Sequence, residues 1–145
     1  TSVHALNDNA ANLSVQLERI AEGARSDGGP QIELEVLAEH APANVANCFA
    51  AILREALSNT IRHARAQNVT VRCMEHPSFY QLIVTDDGAG ATPANSRNAA
   101  EGMGLGSMRE RVEALGGTFT AGPRGGAPGW RVFATVPKQQ GDDAR

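Results

Sequence analysis

Apolar residues at Leu6, Ala10, Leu13, Leu17, Ile20 and Ala24 recur at alternating steps of four and three, which lays one stripe along an α-helix. The run Asp27-Gly28-Gly29-Pro30 supplies the stop. Ile32, Leu34 and Val36 then alternate with Gln31, Glu33 and Glu35, the period of a strand with one buried face. After His40-Ala41-Pro42 the period lengthens again, and Val45, Phe49, Leu53, Ala56, Leu57 and Thr60 face one way in a helix from about Ala43 to Ala64. This long helix is the central element of the expected fold. Two strands follow, Asn68 to Met74 and Phe79 to Thr85, close enough to form a hairpin around Glu75-His76-Pro77-Ser78. Residues 91–101 are rich in Ala, Asn, Ser and Pro, have no apolar period, and predict a mobile loop. Leu105, Met108, Val112 and Leu115 mark a short helix that stops at Gly116-Gly117, and a last hairpin pairs Thr118–Ala121 with Trp130–Val136. From Lys138 to Arg145 the pattern is that of a disordered tail.

Composition narrows what such a chain can do. With 145 residues and 41% hydrophobic content there is enough material for one domain with a buried core. The net charge of −3, from 16 acids against 13 bases, includes no basic tract dense enough to follow a phosphate backbone, so nucleic acid is not an expected partner. There is no apolar run of roughly 18 residues and no signal-peptide pattern at the N-terminus. The chain is expected to be cytoplasmic, without membrane contact of its own. Cys48 and Cys73 have neither metal-ligand nor CxxC spacing and are expected as inert packing thiols.

Four stretches carry candidate chemistry: Glu55-Ala-Leu-Ser-Asn59 with Arg62-His63; Asp86-Asp87-Gly88-Ala89-Gly90; Gly102-Met103-Gly104-Leu105; and Gly125-Gly126-Ala127-Pro128-Gly129. At ~100° per residue, Glu55, Asn59, Arg62 and His63 fall within about 100° of one another, opposite the apolar stripe. Such a face can be a wet side stitched by pairs one turn apart. It can also present an amide oxygen one turn from a carboxylate, a hard-oxygen pair suited to Mg²⁺ that keeps waters and bridges phosphates. Asp86 leaves a strand and can accept a hydrogen bond from an exocyclic amine such as that of adenine, while Gly88 and Gly90 remove side chains that would block a ring; the same residues also make an ordinary turn. Gly102-Met103-Gly104 feeds a helix start whose N–H groups and dipole suit phosphate oxygens. Taken together and in this order, the stretches predict a nucleotide site.

At these residues the chain resembles a known family. Glu55-Ala-Leu-Ser-Asn59-Thr-Ile-Arg62-His63-Ala64 is similar to the N box, Asp86 to Gly90 to the first glycine box, and Gly102 to Leu105 to the second glycine box, of the catalytic ATP-binding domain of sensor histidine kinases. Gly104-Leu105-Gly-Ser-Met108-Arg109-Glu110-Arg111-Val112 resembles the segment found in the nitrate-sensor and DesK-like subfamily. The resemblance covers nearly the whole chain. It implies the Bergerat fold shared with Hsp90, gyrase B and MutL: an α+β two-layer sandwich, a mixed sheet packed on about three helices. The implied domain is residues 1–137, with an N-terminal helix and linker over 1–30 and an ATP lid over 91–104, disordered when empty.

The resemblance also implies roles. Asp86 binds the adenine amino group, Asn59 holds the Mg²⁺ that bridges the phosphates, and Glu55 orders a water or the metal. Gly88, Gly90, Gly102, Met103, Gly104 and Leu105 shape the loops around ring and phosphates, and Arg62 and His63 lie toward the phosphate end. The implied reaction transfers the ATP γ-phosphoryl group to a histidine on a separate dimerisation domain, from which a response regulator of the NarL type receives it. No histidine of this chain suits the acceptor role, since His4 and His40 precede alanine and His76 precedes proline, so the chain is expected as the catalytic part of a larger sensor. A related serine kinase or ATPase of the same superfamily, and a degenerate domain that only docks a partner, are the alternatives. One departure bears on the last of these: Trp130 follows Gly129 where the subfamily has a threonine that helps hold adenine through a water. A sole tryptophan in a strand is more often core than pocket edge.

Overall fold

The computed structural model describes residues 12–26, 29–38, 41–64, 66–88 and 104–138. Asn12 caps the first helix, α1 (Leu13–Ser26), its Oδ1 accepting from the Val15 N–H at 3.1 Å, the usual way a polar side chain satisfies an orphan donor of the first turn. Near the other end, Arg25 pairs with Glu18 and Glu22 at 3.2 Å and donates to the carbonyl of Ile32 at 2.7 Å, which fastens α1 to strand β1 (Gln31–Leu37). The alternation read in β1 is present: Ile32 is buried while Gln31, Glu33 and Glu35 are exposed.

From β1 the chain passes through α2 (Ala43–Asn59) and returns as β2 (Asn68–Glu75), which lies parallel to β1. A parallel neighbour needs such a crossover. The remaining strands, β3 (Phe79–Asp86), β4 (Thr118–Pro123) and β5 (Trp130–Pro137), pair antiparallel, and the sheet order is β1-β2-β3-β5-β4. Both expected hairpins form, and the sheet is mixed. A third helix, α3 (Leu105–Ala114), packs beside α2 against β4 and β5. The architecture is therefore the two-layer sandwich read from the sequence, one sheet covered on one face by three helices.

The core lies between those layers. Leu13, Leu17 and Ala21 from α1, Phe49, Ile52, Leu53, Ala56 and Leu57 from α2, and Met108 and Val112 from α3 meet Val69, Val71, Cys73, Leu82, Val84, Val132, Ala134 and Val136 from the sheet. Ten of the 17 residues of α2 are buried, more than one stripe would bury, because α1 and α3 cover its flanks while the sheet lies beneath it. Cys48 and Cys73 are buried, and burial raises both thiols, that of Cys73 to about 12. They are packing residues, as their spacing suggested. Trp130 is half-buried and packs against the core from the start of β5.

The strands β2, β3, β4 and β5 run one or two residues past their expected ends, and two further boundaries differ from the sequence reading. The helix expected to run to Ala64 is α-helical only to Asn59; Thr60–Ala64 form a π-helical turn, entered where the Thr60 N–H reaches both Ala56 O and Leu57 O. Such wider turns cluster at functional sites because they re-aim side chains that a regular spiral would point elsewhere. Lys138, expected at the head of the tail, is instead held by a 2.7 Å ion pair to Glu75 and by its N–H on the carbonyl of Ser78. The loop expected over 91–101, most of the lid expected over 91–104, and residues 1–11 fall outside the described residues. No helix among the described residues is long and apolar enough to cross a membrane.

Candidate functional site

Asp86 sits at the C-terminal end of β3, paired across the sheet with Val69 on one side and Trp130 on the other. It is only 5% exposed. A buried carboxylate needs donors, and three converge on this one: the Thr60 hydroxyl donates to Oδ2 at 3.1 Å, the Gly88 N–H donates to Oδ1 at 2.9 Å, and the Trp130 N–H contributes from β5. Burial raises its pKa, the three donors oppose that, and the charge of Asp87 adds to it. The result is a fixed acceptor at a sheet end, with its neighbours' donors already committed to it.

Asp87, one residue on, does different work. Its Oδ1 accepts the N–H groups of Gln67 and Asn68, and its Oδ2 accepts the Asn68 side-chain amide, all at 2.9 Å. These bonds lower its pKa, that of the Asn68 side chain most. The pair Asp86-Asp87 is thus divided between an inward carboxylate, aimed at the helix layer, and an outward one that clips the end of β3 to the chain entering β2. Sequence reasoning gave Asp87 no role, since an acidic residue in a glycine turn is ordinarily solvated.

The polar face of α2 supplies the second half of the site. Asn59 is 8% exposed, and Glu55, one turn earlier, is half-buried. The Glu55 carboxylate lies against the start of α3: a Cβ at Gly104 would stand 3.0 Å from its Cδ and 3.1 Å from its Oε2. Gly104 is the cap residue of α3, with φ of 70°, and its carbonyl takes the first helical bond, from Met108, at 3.0 Å. The positive φ favours glycine, and a Cβ would fit only with a shift of the Glu55 carboxylate. Residues 49 positions apart in the chain are therefore brought together, Glu55 from the N box and Gly104 from the second glycine box. Between α2 and α3 runs a groove of about 350 Å³ lined in part by Arg54, Glu55, Ser58, Ser107 and Arg111.

The other sequence-derived candidates fall into place as follows. Gly88 is buried and serves through its N–H on Asp86. Leu105 packs on the core from the first turn of α3. Arg62 is exposed, and His63 belongs to the same π-helical turn. Gly90, Gly102 and Met103 lie outside the described residues. The fourth stretch, Gly125–Gly129, forms the β4–β5 turn, closed by the Arg124 N–H on the carbonyl of Gly129 at 3.0 Å. Its contribution is spatial: Gly129 has φ of 124°, and a Cβ there would run into the backbone carbonyl of Asp86. Thr60 was read as one more core position of the apolar stripe. Its hydroxyl bond to Asp86 links α2 to the end of β3, and a threonine in place of an aliphatic residue in that stripe was the available signal.

The donor set bears on a metal. Among the described residues no group of three or more His, Cys, Asp or Glu side chains is placed to hold an ion. An amide at Asn59 and a carboxylate at Glu55, one turn apart, offer oxygens without a closed cage, which fits a cation that keeps waters and takes further oxygens from phosphates.

Residues 44–140 match the family model described as histidine kinase-, DNA gyrase B- and HSP90-like ATPase. The chain is 36% identical over 88 residues to the signal transduction histidine-protein kinase/phosphatase UhpB of Salmonella typhimurium, an alignment covering 61% of this chain and 16% of that one. It is 44% identical over 78 residues to the sensor histidine kinase NarS of Mycobacterium tuberculosis, covering 51% of this chain and 18% of the relative. With the nitrate/nitrite sensor protein NarQ of Escherichia coli it shares 33% identity over 96 residues, 65% of this chain and 16% of that one. The chain thus spans less than a fifth of the length of each of these relatives. Among solved structures, the histidine kinase domain of the Erythrobacter litoralis EL346 blue-light activated histidine kinase superposes with a TM-score of 0.69 at 23% identity, covering 87% of this chain and 61% of that one. The ATP binding domain of PrrB from Mycobacterium tuberculosis gives 0.66 at 17% identity, covering 88% and 95%. At these identities the two superpositions establish the fold.

Proposed function

We propose, because this chain belongs to the family of histidine kinase-, DNA gyrase B- and HSP90-like ATPases, that it is the catalytic ATP-binding domain of a two-component sensor histidine kinase of the NarL-partner, DesK-like group. The family is one of ATP-binding domains, and of the relatives described above UhpB and NarS are histidine kinases while NarQ is a nitrate/nitrite sensor. The observation that carries the reading to this chain is the meeting of its boxes: Glu55 against Gly104, and Asp86 bonded to Thr60, the residue after Asn59.

The residues divide the work as the chemistry of ATP requires. Asp86, held as an acceptor by three donors, receives the exocyclic amine of adenine. The glycines at 88, 90, 102 and 104 let backbone approach the ring and the phosphates. Asn59 is the residue that would hold Mg²⁺, with Glu55 beside it to orient a water, and Arg62 and His63 serve the phosphate end. When bound, Mg²⁺ neutralises charge on the β- and γ-phosphate oxygens. Transfer then proceeds as a nitrogen of the acceptor imidazole bonds to the γ-phosphorus while the bond from that phosphorus to the β,γ-bridging oxygen breaks, and ADP leaves with the electron pair. Nothing in this step needs covalent help from the chain; positioning and charge neutralisation suffice.

The acceptor histidine lies on a dimerisation domain of the same sensor, and a response regulator of the NarL type takes the phosphoryl group onward in the cytoplasm. The test is transfer in trans. Incubated with γ-labelled ATP, Mg²⁺ and a separately purified histidine-bearing dimerisation domain from a NarL-partner sensor, the chain is expected to give acid-labile, base-stable label on that domain. Label that is acid-stable, on serine, or steady phosphate release that ignores the added domain, would assign the chain to the serine-kinase or ATPase branch instead.

A further inference from the structure

Asp86 is an acceptor whose usefulness depends on which of its lone pairs stay open and on its being ionised. An ionised carboxylate offers about four lone-pair positions. Among the described residues Asp86 is addressed by the Thr60 hydroxyl on Oδ2 and the Gly88 N–H on Oδ1, with the Trp130 backbone N–H also favouring its charged form. Two of those donors are backbone groups that any sequence would present. Thr60 is the side chain among them. It is 3% exposed, stands at the junction where α2 gives way to the π-helical turn, and follows Asn59 directly.

We infer that Thr60 is the positioning residue for nucleotide-base recognition: its hydroxyl hydrogen, committed to Asp86 Oδ2, holds that carboxylate as a pure acceptor oriented toward an exocyclic amine. This deepens the reading above and rests on it, since it presumes that Asp86 meets adenine. Two consequences follow from the chemistry. Adenine presents an amine at the edge where guanine presents a carbonyl, so a carboxylate fixed as acceptor favours ATP over GTP. The same contact ties the base-binding carboxylate to the residue beside Asn59, so the base end and the metal end of the site move as one piece.

The contact also governs ionisation. Burial pushes Asp86 toward its neutral form, and the Thr60 hydroxyl is one of the groups opposing it. Among the described residues the charged neighbours are few. Asp87, on the same strand end, pushes the same way as burial. Arg62 in the π-helical turn and Arg131 on β5 are exposed. Arg124, in the β4–β5 turn, donates to the carbonyl of Pro128.

Thr60→Val keeps the shape and removes the hydroxyl, and Thr60→Ser keeps the hydroxyl and removes a methyl group. In the nucleotide-free chain, carbon-13 NMR of the Asp86 carboxyl should titrate at higher pH in Thr60→Val than in wild type and return toward wild type in Thr60→Ser. By calorimetry at pH 7, ATP affinity should fall about tenfold in Thr60→Val, the loss of one hydrogen bond to a charged group. The ATP-to-GTP preference should shrink with it, and the acid limb of ATP binding should move to higher pH. Serine should restore each of these. Wild-type ATP affinity and an unmoved Asp86 titration in Thr60→Val would overturn the inference. A wild-type chain that takes no ATP would overturn the reading it rests on, and the base-orienting role with it; a Thr60-dependent Asp86 titration would then locate the failure in the ligand rather than in the contact.

Discussion

Asp86 and Asp87 are neighbours in sequence with opposite electrostatics, and the difference is decided by which way each side chain leaves the end of β3. Asp86 turns inward, where burial raises its pKa against the pull of three donors. Asp87 turns outward and is lowered by the N–H groups of Gln67 and Asn68 and the Asn68 amide. The signs of their linkage to stability therefore differ. A raised carboxylate favours the folded state at low pH and loses that contribution as pH rises through its folded value; a lowered one contributes above the unfolded value, ~3.9, and loses it as pH falls. Asp87→Ala should accordingly lower Tm at pH 7 by several degrees, corresponding to about 1–2 kcal/mol for an exposed set of bonds. The gap to wild type should narrow as the pH is taken below about 4, and a gap independent of pH would mean the carboxylate charge has no part in the clip. At the phosphate end, Asn59→Ala should abolish Mg²⁺-dependent nucleotide binding measured by calorimetry. Full retention would remove Asn59 from the metal's ligands.

At the scale of elements, periodicity made most of the fold legible. The apolar stripes at Leu13, Leu17, Phe49, Leu53, Met108 and Val112 and the alternation in β1 depend only on local geometry, so they could be read before any packing was known. Features decided by distant partners could not. The change from α-helix to π-helical turn at Thr60 accompanies a bond to a residue 26 positions away, and nothing local to 60–64 announces it. The N-box and glycine-box residues were legible as a set through resemblance, but the contact of Glu55 with Gly104 needed the sheet to fold first. Gly129 is a similar case: the glycine run marked a turn, whereas the reason for glycine at this position is the carbonyl of Asp86 pressed against it. Gly129→Ala should therefore cost more than an ordinary loop substitution, about 2–4 kcal/mol, since both φ and the close approach oppose a Cβ. Chemical denaturation would check this, with Gly125→Ala, where a Cβ meets nothing, as the neutral comparison.

For the whole molecule, one sheet and three helices form a frame that brings the N-box helix, the end of β3 and the start of α3 to a common region. The match of residues 44–140 places the chain in the family of histidine kinase-, DNA gyrase B- and HSP90-like ATPases. If that frame is a nucleotide site, ligand must stabilise it. Thermal unfolding with and without Mg²⁺ and ATP tests this most directly. At ~100 times its dissociation constant the nucleotide adds ~2.7 kcal/mol, which for a domain of this size is a rise in Tm of roughly 5–10 °C. The expected result is a rise of that order that needs Mg²⁺ for its full extent and shrinks in Asn59→Ala. An unchanged Tm at millimolar ATP, with Mg²⁺ present, would contradict a working ATP site in this chain.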